Sequence, residues 1–369
     1  MTGYEQSDRL HARVRAFIRA TQAGAEPADG FDAIACELAR FQAGAGGPVA
    51  SMLRARGVDA SCLSRVDDIP AVPTDAFKLR RVACHQERDD ARVFRTSGTT
   101  AGVRGEHAMR TTATYQLAAI SWARVMLFPD ARKLRVLLLA PPPDAAHDSS
   151  LGFMLELFAR EIGERSAWFV QEETLRTGPL RDAIAEARRD GAPVLLAGAS
   201  FAFVHLLDSM QGDRWELPPS SRVMQTGGFK GRSREVDAAK LRRAIASAFG
   251  LEPRAVVSEY GMTELSSQAY EGTLRELIGM DSLAGPAGVF FAPPWMRVTA
   301  VHPESLAPVA NGEEGIARIV DLANVDSAVA LQTADRVRSK GPGFELLGRA
   351  AGAPPRGCSL GIDEILGGR

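Results

Sequence analysis

Apolar residues recur at helical spacing from the start of the chain. Leu10, Val14, Phe17 and Ile18 form one stripe, and Ile34, Leu38 and Phe41 another, which predicts a helical region over about residues 4–57. The Pro-bearing stretch IPAVPTDAFK (69–78) ends that region as a loop. Short apolar runs then alternate with longer amphipathic stretches. Strands are expected at 92–96, 134–140, 167–170, 194–197, 222–226 and 255–258, and helices at about 111–128, 151–163, 175–190, 200–210 and 234–249. Strand–helix alternation with continuous apolar strands predicts buried parallel pairing and an α/β fold. From about 287 the pattern changes: GVFFAPPW, MRVTAVHP and GIARIVDL are β-rich, joined by short Gly/Pro turns, and suggest a more antiparallel unit. The expected division is a helical N-terminal region (1–70), an α/β core (71–286), a β-rich subdomain (287–347) and a short flexible C-terminal segment (348–369), which is rich in Gly and Pro.

Composition narrows the function classes. The chain has 369 residues, 45% hydrophobic, with 44 Lys+Arg against 45 Asp+Glu and a net charge of -1. That apolar share is too high, and the net charge too low, for a disordered protein. A near-neutral balance gives no general case for binding nucleic acid. The four cysteines, Cys36, Cys62, Cys84 and Cys358, form no CxxC pair, so no zinc or redox motif is visible, and sparse usage suits a reducing cytosol. No secretory signal and no apolar run near 18 residues is present, so a cytoplasmic protein without a membrane span is expected.

Four short motifs carry candidate chemistry. The first is RTSGTTAGVRGEH (95–107), directly after a predicted strand, with Thr96, Ser97, Gly98, Thr99, Thr100, Gly102 and Gly105. Glycines let backbone N–H groups approach an anion, and hydroxyls add donors. It is not a Walker A loop, and an ordinary polar turn has the same composition. The second is SEYGMTE (258–264): Tyr260 offers an aromatic face, Gly261 and Met262 follow, Thr263 supplies a hydroxyl, and Glu264 a carboxylate able to hold Mg²⁺ against phosphate oxygens. A strand end with a helix cap reads the same way. The third is QTGGFKGRS (225–233), with Gly227 and Gly228, and the fourth is QTADR (332–336), where Asp335 could accept hydrogen bonds from ribose hydroxyls. His107 follows the first motif and could position a phosphate or a carboxylate. His205, in FAFVHLLD, either lines a substrate pocket or is a satisfied core histidine. His147 and Asp148 precede two serines, but without a GxSxG elbow a hydrolase triad is rejected.

Taken in order, TSGTT, the Gly-Gly turn, YGMTE, TAD and GR resemble the motif set of the adenylate-forming superfamily, over residues 95 to 349. More narrowly, IPAVPTDAFK, FRTSGTTAGVRGEH, SSLGFML, FAFVHLLD, QTGGFKGRSREV, YGMTEL, QTADR and LGRAAGAPPRGCSL are similar to LuxE-type acyl-protein synthetases. The resemblance implies that a carboxylate attacks the α-phosphate of ATP, giving an acyl-adenylate and pyrophosphate. It implies that the 96–102 loop cradles the β- and γ-phosphates, that Tyr260 stacks on adenine, and that Gly227 and Gly228 pack near the base or acyl group. By the same resemblance Thr263 contacts the α-phosphate, Glu264 holds Mg²⁺, and Asp335 and Arg349 attend the ribose.

Two departures stand out. Where the superfamily loop usually has a lysine, this sequence has AGVRGEH with Arg104, which keeps the charge in a planar fork. The sequence also ends at Arg369, so the superfamily's usual mobile C-terminal domain is expected to be lacking, and with it the lysine that aids adenylation. In the LuxE-type family a cysteine near the C-terminus accepts the acyl group as a thioester. Here that cysteine is Cys358, in RGCSL beside Arg356. A thiolate is a good nucleophile toward an acyl-phosphate anhydride, and a nearby cation lowers a thiol pKa. The expected activity is therefore ATP- and Mg²⁺-dependent activation of a carboxylic acid, a fatty acid by resemblance, and transfer to Cys358 for delivery to a partner acyl reductase. Delivery to CoA or a carrier protein is the alternative within enzymes. A catalytically weak acyl-binding or scaffolding subunit is the alternative outside them.

Overall fold

The computed structural model describes residues 3–96, 103–130, 133–227, 236–280 and 282–350. They form two compact units, both α/β in character. One comprises Met1–Ser121, Met262–Gln268 and Ala292–Arg369, and the other Trp122–Gly261 and Ala269–Phe291. The linear segments 1–70, 71–286, 287–347 and 348–369 do not express this division. A unit closes where strands pair and side chains pack, and those contacts join stretches far apart in sequence.

In the second unit five strands lie parallel, in the spatial order Gly163–Trp168, Leu134–Leu139, Val194–Ala199, Arg222–Thr226 and Val256–Tyr260. Every residue of LRVLLL is buried, as a strand covered on both faces requires. Helices Thr177–Asp190, Ser200–Met210 and Ala238–Phe249 cover the sheet, and Ile184, Phe203, Leu241 and Phe249 pack against Leu137, Leu196, Val223 and Val256. The crossovers end where the sequence says they should. Gly191 and Gly250 close their helices in the left-handed conformation, and Asp237 caps the last helix by accepting the Lys240 N–H at 2.9 Å. Antiparallel strands Ala269–Glu271 and Val289–Phe291 extend the sheet beyond Val256–Tyr260.

One expected strand is displaced. The run anticipated at 167–170 is instead Gly163–Trp168, while Val170–Gln171 pairs separately with Thr174–Leu175. Gly163–Trp168 is the outermost of the parallel strands, with exposed Glu164 and Arg165, so its first half is not a continuous apolar run.

The first unit contains the predicted N-terminal helices, Gly3–Gln22, Phe31–Gly44 and Pro48–Ala55. Its sheet is the antiparallel ladder Met296–Val301, Glu314–Asp321, Ala330–Lys340 and Gly343–Arg349, with Val72–Pro73 parallel to Ala330–Lys340. Of the stretches read as β-rich from residue 287 onward, MRVTAVHP and GIARIVDL fall in this ladder, whereas GVFF supplies Val289–Phe291 of the other unit. The strand expected at 92–96 does form, but not in a parallel sheet. Arg92–Arg95 pairs antiparallel with Glu106–Met109 as a hairpin. The two strands are too close in sequence for a parallel crossover, which needs a dozen or more residues. Among the described residues no helix is long and apolar enough to cross a membrane.

Candidate active site

The hydroxyl-rich loop is held at its base by the hairpin. Thr96 donates its N–H to the Gly105 carbonyl at 2.9 Å, and its Oγ1 accepts the Gly105 N–H at 2.9 Å. A Cβ on Gly105 would come within 3.2 Å of Thr96 Cγ2, so a side chain there would need Thr96 to give by a few tenths of an ångström. Arg104, the residue that departs from the superfamily's lysine, folds back on this stem: Nε donates to the Thr96 carbonyl at 2.6 Å and an Nη to that of Arg95 at 3.3 Å. Of the loop itself, Ser97, Gly98, Thr99, Thr100 and Gly102 lie outside the described residues.

One hairpin residue reaches the second motif. His107, opposite Phe94 in the register, is buried against the edge of Phe77, and its Nδ1–H donates to the Thr263 carbonyl at 2.8 Å. Since a carbonyl only accepts, the proton sits on Nδ1. Burial pushes this imidazole's pKa down to about 4, against the hydrogen bond to Thr263, so the ring is neutral near pH 7. The next carbonyl, that of Glu264, accepts from Asn324 Nδ2 at 2.9 Å. The hydroxyl-loop hairpin and the segment with Met262, Thr263 and Glu264 are thus fastened together.

Sequence reasoning missed the residue that shapes the far side of this segment. Asp321 is fully buried, accepting the Ser266 N–H at 2.9 Å, the Ser267 hydroxyl at 2.7 Å and the Ala323 N–H at 3.0 Å. Burial raises its pKa to about 6, and these donors hold it back from going higher. Trp295 Nε1 also donates to Ser267 Oγ at 3.1 Å. The available signal was a run of four polar residues, Asp321, Asn324, Asp326 and Ser327, within an apolar strand connection, DLANVDSAV, which demands buried partners.

Asp335 and Arg349, both read as ribose residues, are opposite each other on one rung of the ladder, with Arg349 Nε 3.4 Å from the carboxylate. Asp335 is mostly buried, while the Arg349 side chain is 73% exposed.

In the second unit the Gly-Gly turn follows the carboxyl end of its parallel strand. Gly227 has φ +71°, which glycine alone adopts freely, and its carbonyl accepts from Ser200 Oγ at 2.9 Å. Gly228 lies outside the described residues. Tyr260 ends the neighbouring strand, buried edge-on to Phe290 at 6.2 Å, and Gly261 follows it. The residue before it, Glu259, is buried and paired with the Thr226 hydroxyl. Burial raises its pKa to about 7, with the Thr226 bond opposing the rise. His205 is exposed on its helix, 6.5 Å from the Phe201 ring, so it is no core histidine.

Three cysteines are accounted for as free thiols: Cys36 is buried, Cys62 is exposed, and burial pushes the Cys84 thiol pKa well up. Cys358 lies outside the described residues. Among the described residues no three His, Cys, Asp or Glu side chains gather as a metal cluster. A single carboxylate such as Glu264 still fits Mg²⁺, which typically takes one or two protein carboxylates and completes its octahedron with phosphate oxygens and water.

Comparison with known proteins follows the same lines. A family model described as acyl-protein synthetase, LuxE, matches residues 53–367. The chain is similar to the long-chain-fatty-acid–luciferin-component ligase of Vibrio harveyi, 22% identical over 311 residues, covering 81% of this chain and 78% of that one. It is likewise similar to the ligase of that name from Aliivibrio fischeri, 21% identical over 318 residues, covering 82% and 80%. Among solved structures it resembles ATP-bound MatB from Rhodopseudomonas palustris, with a TM-score of 0.50 and 18% identity over 72% of this chain; it spans about half of MatB, 49%. It also resembles 2-hydroxyisobutyryl-CoA ligase in the postadenylation state with 2-HIB-AMP, with a TM-score of 0.60 and 12% identity, covering 86% of this chain and 67% of that one. At such identities the structural likeness speaks for the fold, which is that of an adenylate-forming core.

Proposed function

Because this chain belongs to the acyl-protein synthetase family, LuxE, we propose that it activates a fatty acid with ATP and carries the acyl group on Cys358 as a thioester. Membership makes it a ligase of the AMP-forming class. In the first half-reaction a carboxylate oxygen attacks the α-phosphorus, the bond to the β-phosphate oxygen breaks, and pyrophosphate leaves. In the second the Cys358 thiolate attacks the acyl carbonyl, the bond to the phosphate oxygen breaks, and AMP leaves.

The chain's own residues have distinct tasks. Thr96 and the loop after it offer hydroxyl and backbone donors to the β- and γ-phosphates. Thr263 contacts the α-phosphate, where negative charge is redistributed in the transition state. Glu264 would hold Mg²⁺, and the ion would supply charge neutralisation for the phosphate groups. Tyr260 presents its ring to adenine, Asp335 accepts from the ribose hydroxyls, and Arg349 steadies Asp335. Gly227 and Gly228 let the backbone come close to the nucleotide or acyl group. His205, exposed on its helix, is assigned to the acid side, and His107 to positioning Thr263. A reductase that takes the acyl group from the thioester is the fitting partner.

The observation that carries this reading is the His107–Thr263 hydrogen bond at 2.8 Å. It ties the phosphate-type hairpin to the Thr263 and Glu264 segment, which adenylation needs side by side. The test is acid-dependent ATP–pyrophosphate exchange across short, long and aromatic acids, with mass spectrometry of the intact protein. Long-chain acids should drive exchange and add one acyl mass to the chain. Formation of acyl-CoA from added CoA, with no acyl mass on the protein, would transfer the second step to CoA. No exchange with any acid would sink the reading.

A further inference from the structure

Residues 1–52 precede the stretch matched by the family model, yet they make polar contacts that reach Glu264. Gln42, on the helix Phe31–Gly44, is buried and uses its whole amide on one loop. Its Nε2 donates to the Asn324 carbonyl at 2.8 Å and the Val325 carbonyl at 3.0 Å, and its Oε1 accepts the Val329 N–H at 2.9 Å. Asn324, held in this way, gives its own Nδ2 protons to the Glu264 carbonyl at 2.9 Å and the Ala328 carbonyl at 3.0 Å. The helix Gly3–Gln22 grips the same loop further along: the Asp326 carboxylate accepts from Ser7 and from His11 Nε2, the latter at 2.9 Å, and lies 3.4 Å from Arg110 Nε. Burial alone would raise the Asp326 pKa, but these donors outweigh it and keep the carboxylate ionised.

We infer that Gln42 and Asn324 are positioning residues for Glu264, and that the N-terminal helices are the frame against which the 262–268 segment is held. The physical argument is one of alternatives. A buried carbonyl without a donor is costly, so the 324–329 loop has one low-energy seat, defined by the Gln42 amide. A primary amide with both its protons and its oxygen engaged fixes direction as well as distance. There is also little slack: the cavity bordered by His11, His107, Asn324, Asp326 and Ser327 is about 20 Å³, room for about one water molecule. The Glu264 backbone is therefore pinned by the helix Phe31–Gly44 through a single intermediate side chain.

This inference rests on the reading of Glu264 as the Mg²⁺ residue. The test is made on the full chain with Gln42→Ala, with Glu264→Gln and parent protein as references. Hydrogen–deuterium exchange should rise in the peptide covering 262–268, and the Mg²⁺ concentration giving half-maximal pyrophosphate exchange should rise about tenfold, the scale on which loss of a group that orients a metal ligand weakens metal binding. A merely structural role would reduce the yield of folded protein and leave both readouts at parent values per folded molecule, which overturns the inference. Greater deuterium uptake with parent Mg²⁺ dependence overturns it too, provided Glu264→Gln does shift that dependence. If Glu264→Gln does not, the assignment of Glu264 is what has failed. Should Gln42→Ala not fold, Ser7→Ala loosens the same loop at Asp326 more gently, and the same two readouts decide.

Discussion

His107 and Thr263 are 156 positions apart in sequence and joined by one hydrogen bond, Nδ1–H to carbonyl, at 2.8 Å. Through that bond a hairpin and a connecting segment share one geometry. His107→Ala should leave a buried carbonyl unsatisfied, at a cost of about 1–3 kcal/mol, and slow pyrophosphate exchange by about tenfold or more. Thermal melting and exchange rates on the folded variant measure the two separately.

The same residue sets a pH dependence. Its folded pKa of about 4 lies below the ordinary 6.5, so the unfolded chain takes up the proton first as pH falls. The stability His107 contributes is full above about pH 6.5 and is lost progressively toward pH 4. His107→Ala lacks that loss. The stability gap between parent and variant should therefore narrow between pH 7 and pH 4 in denaturant titrations; a constant gap would show that the ring does not stay neutral.

Asp321 should matter more than its distance from the motifs suggests. Asp321→Asn swaps one acceptor oxygen for an N–H₂ that faces donors from Ser266, Ser267 or Ala323. We expect a loss of about 1–3 kcal/mol and weaker exchange, because the 266–267 backbone is what this carboxylate holds. An unchanged melting temperature would contradict that.

The two half-reactions separate by mutation. Glu264→Gln should lower exchange by about 100-fold, the usual scale for removing one electrostatic contact to a transition state. Cys358→Ser should keep exchange and lose hydroxylamine-labile acyl labelling. Labelling that survives in Cys358→Ser would place the acceptor elsewhere.

Asp335→Ala tests nucleotide binding apart from chemistry. Losing hydrogen bonds to a charged acceptor should raise the KM for ATP by about tenfold or more while kcat changes little. A fall in kcat at unchanged KM would instead place Asp335 among the groups that act only in the transition state.

Much of this protein was determined by local sequence. The parallel strands 134–139, 194–199 and 222–226 are written as apolar runs between amphipathic helices, and burial on both faces leaves such runs few other conformations. Arg92–Arg95 was legible as a strand, but its partner was not, because pairing depends on what the intervening loop permits. The motifs from Thr96 to Arg349 were legible because each is short and keeps its order. What holds them was not: Gln42, Asp321 and Asn324 look like ordinary polar residues along the chain, and only their seats in the folded unit give each a partner dozens to hundreds of positions away. His107 shows the boundary most clearly. The sequence placed it beside a hydroxyl-rich loop, whereas burial, the proton on Nδ1 and the bond to Thr263 exist only once tertiary packing has removed water from the ring.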